Sequence, residues 1–172
     1  IITTQRASVV LGQPDMTTGT LNFGGTPTAA TLNHPGQGCY DGTHVVVPDV
    51  DNHRVLIWNS VPTRNQQPAD LVLGQPDMTS VAANAGGAVS ARTTNSPSYC
   101  VIHGTQLWVA DATNNRILVW NTFPTSTQQA ADFVVGQPDL GSNAAGTTSQ
   151  TLSGPVSLWI DSGRLFVTDQ VN

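Results

Sequence analysis

The sequence contains no Lys and no Glu: its six basic residues are all Arg and its eleven acidic residues are all Asp. Both missing residues are strong helix formers, and 22 Thr, 16 Gly and 11 Pro stand in their place, so the composition points away from helices and toward an all-β chain. Aromatic residues are scarce at 6%, yet 38% of the chain is hydrophobic, enough to build a core and to exclude a disordered tail. The net charge of -5 lacks the basic surplus that a phosphate backbone demands, so nucleic acid is not expected as a partner. No apolar run reaches 18 residues, and no membrane span is expected. The chain opens at Ile1 with neither a start Met nor a charged-then-apolar leader, as a processed protein or a piece of one would. Ser, Thr, Asn and Gln make up about a third of it, a neutral polar coat that suits an extracellular or periplasmic protein.

What is present is a repeat. Gly12-Gln13-Pro14-Asp15 recurs as Gly74-Gln75-Pro76-Asp77 and as Gly136-Gln137-Pro138-Asp139, each copy 62 residues after the last. Asn52-His53-Arg54-Val55-Leu56-Ile57-Trp58-Asn59 matches Asn114-Asn115-Arg116-Ile117-Leu118-Val119-Trp120-Asn121 in the same register. Pro35, Pro97 and Pro155 continue it, the last after 58 residues because one Gly/Ala/Thr/Ser-rich loop is four residues shorter. Fixed-period self-similarity marks a repeat architecture.

Within the middle copy, apolar runs separated by turn residues predict four strands: Ser98 to His103, Gln106 to Ala110, Arg116 to Trp120 and Asp132 to Val135. Three are apolar at nearly every position, the pattern of a sheet covered on both faces. A four-stranded unit stacked between like units is a propeller blade.

The runs Val47-Pro48-Asp49-Val50-Asp51-Asn52-His53-Arg54-Val55-Leu56-Ile57-Trp58 and Val109-Ala110-Asp111-Ala112-Thr113-Asn114-Asn115-Arg116-Ile117-Leu118-Val119-Trp120 resemble the signature of NHL-repeat β-propellers, and Val167-Thr168-Asp169-Gln170-Val171-Asn172 is a third, partial copy. The second signature carries Asn115 where the family favours His. The resemblance implies a β-propeller of four-stranded antiparallel blades. Residues 16–77 and 78–139 would be complete blades, 1–15 would hold the outer strand of a preceding blade at Ser8 to Leu11, and 140–172 would give the first two strands of another. Propellers typically have 4 to 8 blades, so the chain is expected to belong to a larger ring of about six, completed by the rest of a longer chain or by further copies.

Asp49 with Arg54, and Asp111 with Arg116, recur at five-residue spacing, accompanied by Asp51, Asn52 and Asn114. They form either a ligand-facing rim or a structural turn in which the carboxylate takes turn amides and pairs with the guanidinium. Identical placement in successive copies favours structure. The same holds for Gly12, Pro14 and Asp15 and for Gly74, Pro76, Asp77, Gly136, Pro138 and Asp139: Gly for an unusual backbone angle, Pro to end ladder pairing, Asp to cap the outgoing turn. The four His align with different residue types in each copy, so no ring of metal ligands is expected, and no catalytic spacing or cofactor motif is present. Cys39 and Cys100 lie one residue out of phase on first strands of successive blades, either facing one another in a disulfide or buried as free thiols. Trp58 and Trp120 read as core.

The function expected is therefore a non-catalytic, exported interaction or structural scaffold whose protein or glycan partner is unidentified. The alternatives are a propeller enzyme, since the resemblance brings metal-dependent lyases with it, and a lectin-like glycan binder. Binding should concentrate on the long connections 16 to 34, 78 to 96 and 140 to 154, placed beside the two Asp/Arg turns.

Overall fold

A computed structural model of the chain describes residues 6–172. It is all-β: three antiparallel sheets of four, four and two strands, joined by long connections that contain only short 3-10 turns. The first sheet is a meander of β1 (Cys39–Tyr40), β2 (Val45–Asp49), β3 (Arg54–Trp58) and β4 (Leu71–Leu73). The second repeats it with β5 (Pro97–His103), β6 (Gln106–Asp111), β7 (Arg116–Trp120) and β8 (Phe133–Val135). The third consists of β9 (Pro155–Asp161) and β10 (Arg164–Asp169). Among the described residues no helix is long and apolar enough to cross a membrane.

The sheets stack face to face, and strand alternation explains how one strand serves two layers. In β3, Val55 and Ile57 point into a cluster shared with Cys100, Leu107, Val109, Leu118 and Trp120 of the second sheet, while Leu56 and Trp58 point the other way to Leu32 and Val72. In β7, Leu118 and Trp120 face the first sheet while Ile117 and Val119 face Leu158 of the third. Every residue of β3 and β7 is buried, which is why both strands read as unbroken apolar runs after their opening Arg54 and Arg116. Trp58 and Trp120 are core as expected, each donating its indole N–H to a carbonyl of the following loop, Gln67 and Gln129.

One expected strand is not formed, and another strand is shorter than its counterparts. Ser8 to Leu11 is not a strand, because no inner strand lies beside it to complete a ladder; residues 1–5 of the same expected segment lie outside the described residues. The segment still occupies the register of β4: the Gln66 amide donates to the Val10 carbonyl (2.9 Å) as that of Gln128 does to Val72 (2.8 Å). In addition, β1 is only two residues long where β5 and β9 have seven: Pro35 still bridges Asp49 and the Gly36 amide donates to the Pro48 carbonyl (2.8 Å), but the ladder is interrupted at Gln37, which turns to β5. There Gln37 forms a parallel bridge to Tyr99, its amide donating to the Ser98 carbonyl at 3.0 Å. Neither position tolerates a side chain: a Cβ on Gly36 would strike the Ser98 carbonyl, and one on Gly38 would lie 2.9 Å from the Val46 carbonyl oxygen. Cys39 and Cys100 are disulfide-bonded beside this bridge with their Cα atoms 5.7 Å apart, so the two thiols do face one another across the gap between sheets.

Candidate functional site

The turn between second and third strands is built identically in both complete sheets. β2 ends at Asp49, Val50–Asn52 make one 3-10 turn, His53 adopts a left-handed conformation (φ 51°), and β3 starts at Arg54. In the second sheet Asp111, Ala112–Asn114, Asn115 (φ 53°) and Arg116 follow the same course. Asp49 accepts from the Asn33 amide (2.6 Å), the Asn52 side chain (2.8 Å) and Arg54 Nε (2.7 Å). Asp111 accepts from the Asn95 amide (2.7 Å), Asn114 (2.8 Å) and Arg116 Nε (2.8 Å).

The guanidinium groups use their remaining donors on backbone carbonyls of the connections on either side. Arg54 reaches Thr28, Thr31 and Met78; Arg116 reaches Ser90, Thr93 and Leu140. Each Arg therefore fastens the connection entering its sheet to the one leaving it. Both ion pairs are wholly inaccessible to solvent. Burial pushes the carboxyls of Asp49 and Asp111 upward, against the pull of the amides, asparagines and guanidinium groups. In the third copy Asp169 takes the Ser153 amide and Asn172 side chain, both at 2.7 Å. Asp51 projects outward and pairs with His34.

The Gly-Gln-Pro-Asp tetrapeptides close each outer strand. Gly12, Gly74 and Gly136 have φ of 81°, 87° and 87°, with Leu32, Thr94 and Leu152 packed where a side chain would lie. Asp15 accepts from the amides of Thr17 and Thr18, Asp77 from those of Thr79 and Ser80, and Asp139 from Gly141. With hydroxyl donors added, these bonds lower the pKa of Asp15 and Asp77 from 3.8 to about 2. Pro14 leaves its carbonyl to the Asn65 side chain at 3.1 Å.

The glutamine of the motif has a role that sequence reasoning missed. Gln75 Nε2 donates to the carbonyls of His53 (2.9 Å) and Ala82 (2.8 Å), and Gln137 Nε2 to those of Asn115 (2.8 Å) and Ala144 (2.9 Å), so each Gln ties the turn of its own sheet to the next connection. The signal was its invariance across three copies. Asn22 and Asn84 were also missed; they pair with Asn52 and Asn114 at 2.8 Å, holding the connections against the turns. The connections thus lie where the turn geometry expected them. Their tips place Asn22 and Phe23, and Asn84 and Ala85, in the left-handed region, the first tip exposing Leu21 and Phe23 where the second carries alanines.

The histidines do not converge. His44 bonds Asp41 (2.7 Å) and stacks on Phe123, His53 bonds the Ser96 amide, and His103 lines a cleft of about 220 Å³ with Gln106, Trp108 and Arg164 between second and third sheets. Among the described residues no three His, Cys, Asp or Glu are grouped as metal ligands. No protein-family model matches the chain, nor does any curated protein. The NHL resemblance therefore rests on the signature residues themselves.

Proposed function

We propose that the chain is a section of an NHL-type β-propeller, its sheets being blades of a larger ring, and that it acts as a non-catalytic interaction scaffold in an oxidising, extracellular or periplasmic setting. The observation that carries this reading is the consumption of the recurring polar residues. Asp49, Arg54, Asp111 and Arg116 are fully buried and bonded to backbone or to one another, so the repeat is devoted to folding and variation is left to the exposed connections. Face-to-face stacking of four-stranded meanders supports the propeller, and the Cys39–Cys100 disulfide supports export.

The partner-binding face is the one formed by the two Asp/Arg turns and the connections packed on them, where exposed Leu21 and Phe23 distinguish one copy from the next. The test is to replace connection 78–96 with the shorter third-copy connection and measure capture of partners together with the unfolding transition. Loss of binding with an intact transition supports the reading; unchanged binding counts against it. A glycan-binding role is favoured by one observation, the cleft in which Trp108 offers an aromatic wall beside Arg164 and Gln106. A glycan array with the Trp108→Ala variant separates the two roles, since only the second loses sugar binding.

A further inference from the structure

His53 and Asn115 occupy equivalent left-handed positions and do the same work with different chemistry. The Ser96 amide donates to His53 Nδ1 at 3.0 Å, and the Gly154 amide donates to Asn115 Oδ1 at 2.9 Å. Both donors are themselves left-handed, Ser96 at φ 52° and Gly154 at φ 68°, and each lies at the entrance to the next sheet, directly before Pro97 or Pro155. The bond is therefore the clip by which one sheet's turn holds the first strand of its successor. For His53 to accept at Nδ1, its ring proton must reside on Nε2. An Asn carbonyl accepts at any pH, whereas an imidazole changes charge between pH 5 and 8 and, once protonated, presents N–H at both positions.

We infer that the clip joining the first and second sheets is acid-labile while the equivalent clip joining the second and third is not, so that one and the same contact of the repeat responds to pH in one copy and not in the next. Protonation turns the Nδ1 lone pair into a donor facing the Ser96 N–H, and the Ser96 hydroxyl, 3.5 Å from Nδ1, is the acceptor to which it then turns. None of the groups hydrogen-bonded to His53 is charged. The stretches touching His53, Gly74 to Gln75 and Thr94 to Ser96, carry no titratable side chain. On its own turn, Asp51 is paired with His34 and Asp49 with Arg54, whose guanidinium is directed to carbonyls elsewhere.

Amide hydrogen exchange of the full chain, normalised to intrinsic rates, tests this at pH 8 and pH 5. Protection of Ser96 is expected to fall by about tenfold on acidification, the effect of losing one hydrogen bond, while Gly154 is unchanged. His53→Asn should keep Ser96 protected at both pH values, and Asn115→His should transfer the pH dependence to Gly154. Equal pH responses at the two amides in the native chain, a Ser96 response that survives His53→Asn, or no response at Gly154 in a folded Asn115→His variant would overturn the inference.

Discussion

The junction between the first and second sheets differs from that between the second and third, although both are built from the same repeat. At the first, strands of two four-stranded sheets bury Val46, Val55, Ile57 and Leu73 against Leu107, Val109, Leu118 and Trp120, and a disulfide and a parallel bridge span the gap. At the second, only Leu158 of the third sheet is fully buried against Ala110, Ile117 and Val119, and Leu165 and Val167 are covered in part. The buried strand β7 contrasts with β10, which alternates between exposed and half-buried residues, and Trp159 and Phe166 stack on each other with 61% and 46% of their surfaces in solvent. Apolar sequence alone does not make a core in this architecture; a strand becomes core when sheets lie on both of its faces.

The largest effect that would break this comparison lies in the buried ion pairs. Asp111→Ala strands the Arg116 guanidinium in a site with no solvent access, and chemical denaturation should register a loss of about 3–5 kcal/mol. Asp169→Ala removes the same carboxylate from the third copy, where Asn172 is its side-chain partner, and should cost no more than about 1 kcal/mol. Equal costs would mean that the third sheet is as firmly held as the second.

Removing the disulfide comes next. A Cys39→Ala, Cys100→Ala double variant should lose about 2–4 kcal/mol, given the 61-residue separation of the two cysteines. Backbone protection should fall at Gln37 and Cys100 and be preserved at Ser153. A uniform loss would show that the crosslink acts on the whole chain instead of its own junction.

Neighbouring residues of β9 sharpen the contrast further. Leu158→Ala should cost about 2–3 kcal/mol, because the side chain fills the second junction, and Trp159→Ala about 0.5–1 kcal/mol, because it gives up only an exposed stack on Phe166. Calorimetry on both variants measures the difference directly.

The smallest effect expected is a pH dependence of the outer turns. Asp15 and Asp77 are held at about 2 by hydroxyl and amide donors that favour the charged form, so their contribution is present above 3.8 and is lost as pH falls through about 2. Carboxyl carbon shifts followed by NMR from pH 6 to pH 1.5 would show these two aspartates titrating together below the ordinary carboxylate range.

Much of the sheet architecture was legible because this repeat writes its strands as apolar runs between Gly, Pro, Asn and Asp. Arg116 to Trp120 was placed to the residue, and β5, β6 and β8 within one residue at their ends. The shortened β1 was not legible, since Gly36 and Gly38 read as ordinary loop residues until a neighbouring strand is seen to occupy the space beside them. Ser8 to Leu11 matches β4 in sequence and fails as a strand because pairing is a property of two segments. At the turns, the Asp/Arg spacing announced the ion pair. The reach of each guanidinium to two connections, and of Gln75 to His53 and Ala82, depends on tertiary approach that no local spacing records.

The close approach at Gly36 makes the copies non-interchangeable. The residues that stand at its place one and two copies later are Ser98 and Val156, and those for Gly38 are Cys100 and Leu158. A gene assembled by tandem duplication of the second copy would preserve every strand, turn and ion pair of the repeat. It would nonetheless force the first sheet away from its neighbour, because a serine at position 36 carries the Cβ that the Ser98 carbonyl of the second sheet excludes, and a cysteine at position 38 would press on the Val46 carbonyl of its own sheet. Order along the chain is thus encoded by two missing side chains, and consensus averaging of the repeats would erase it.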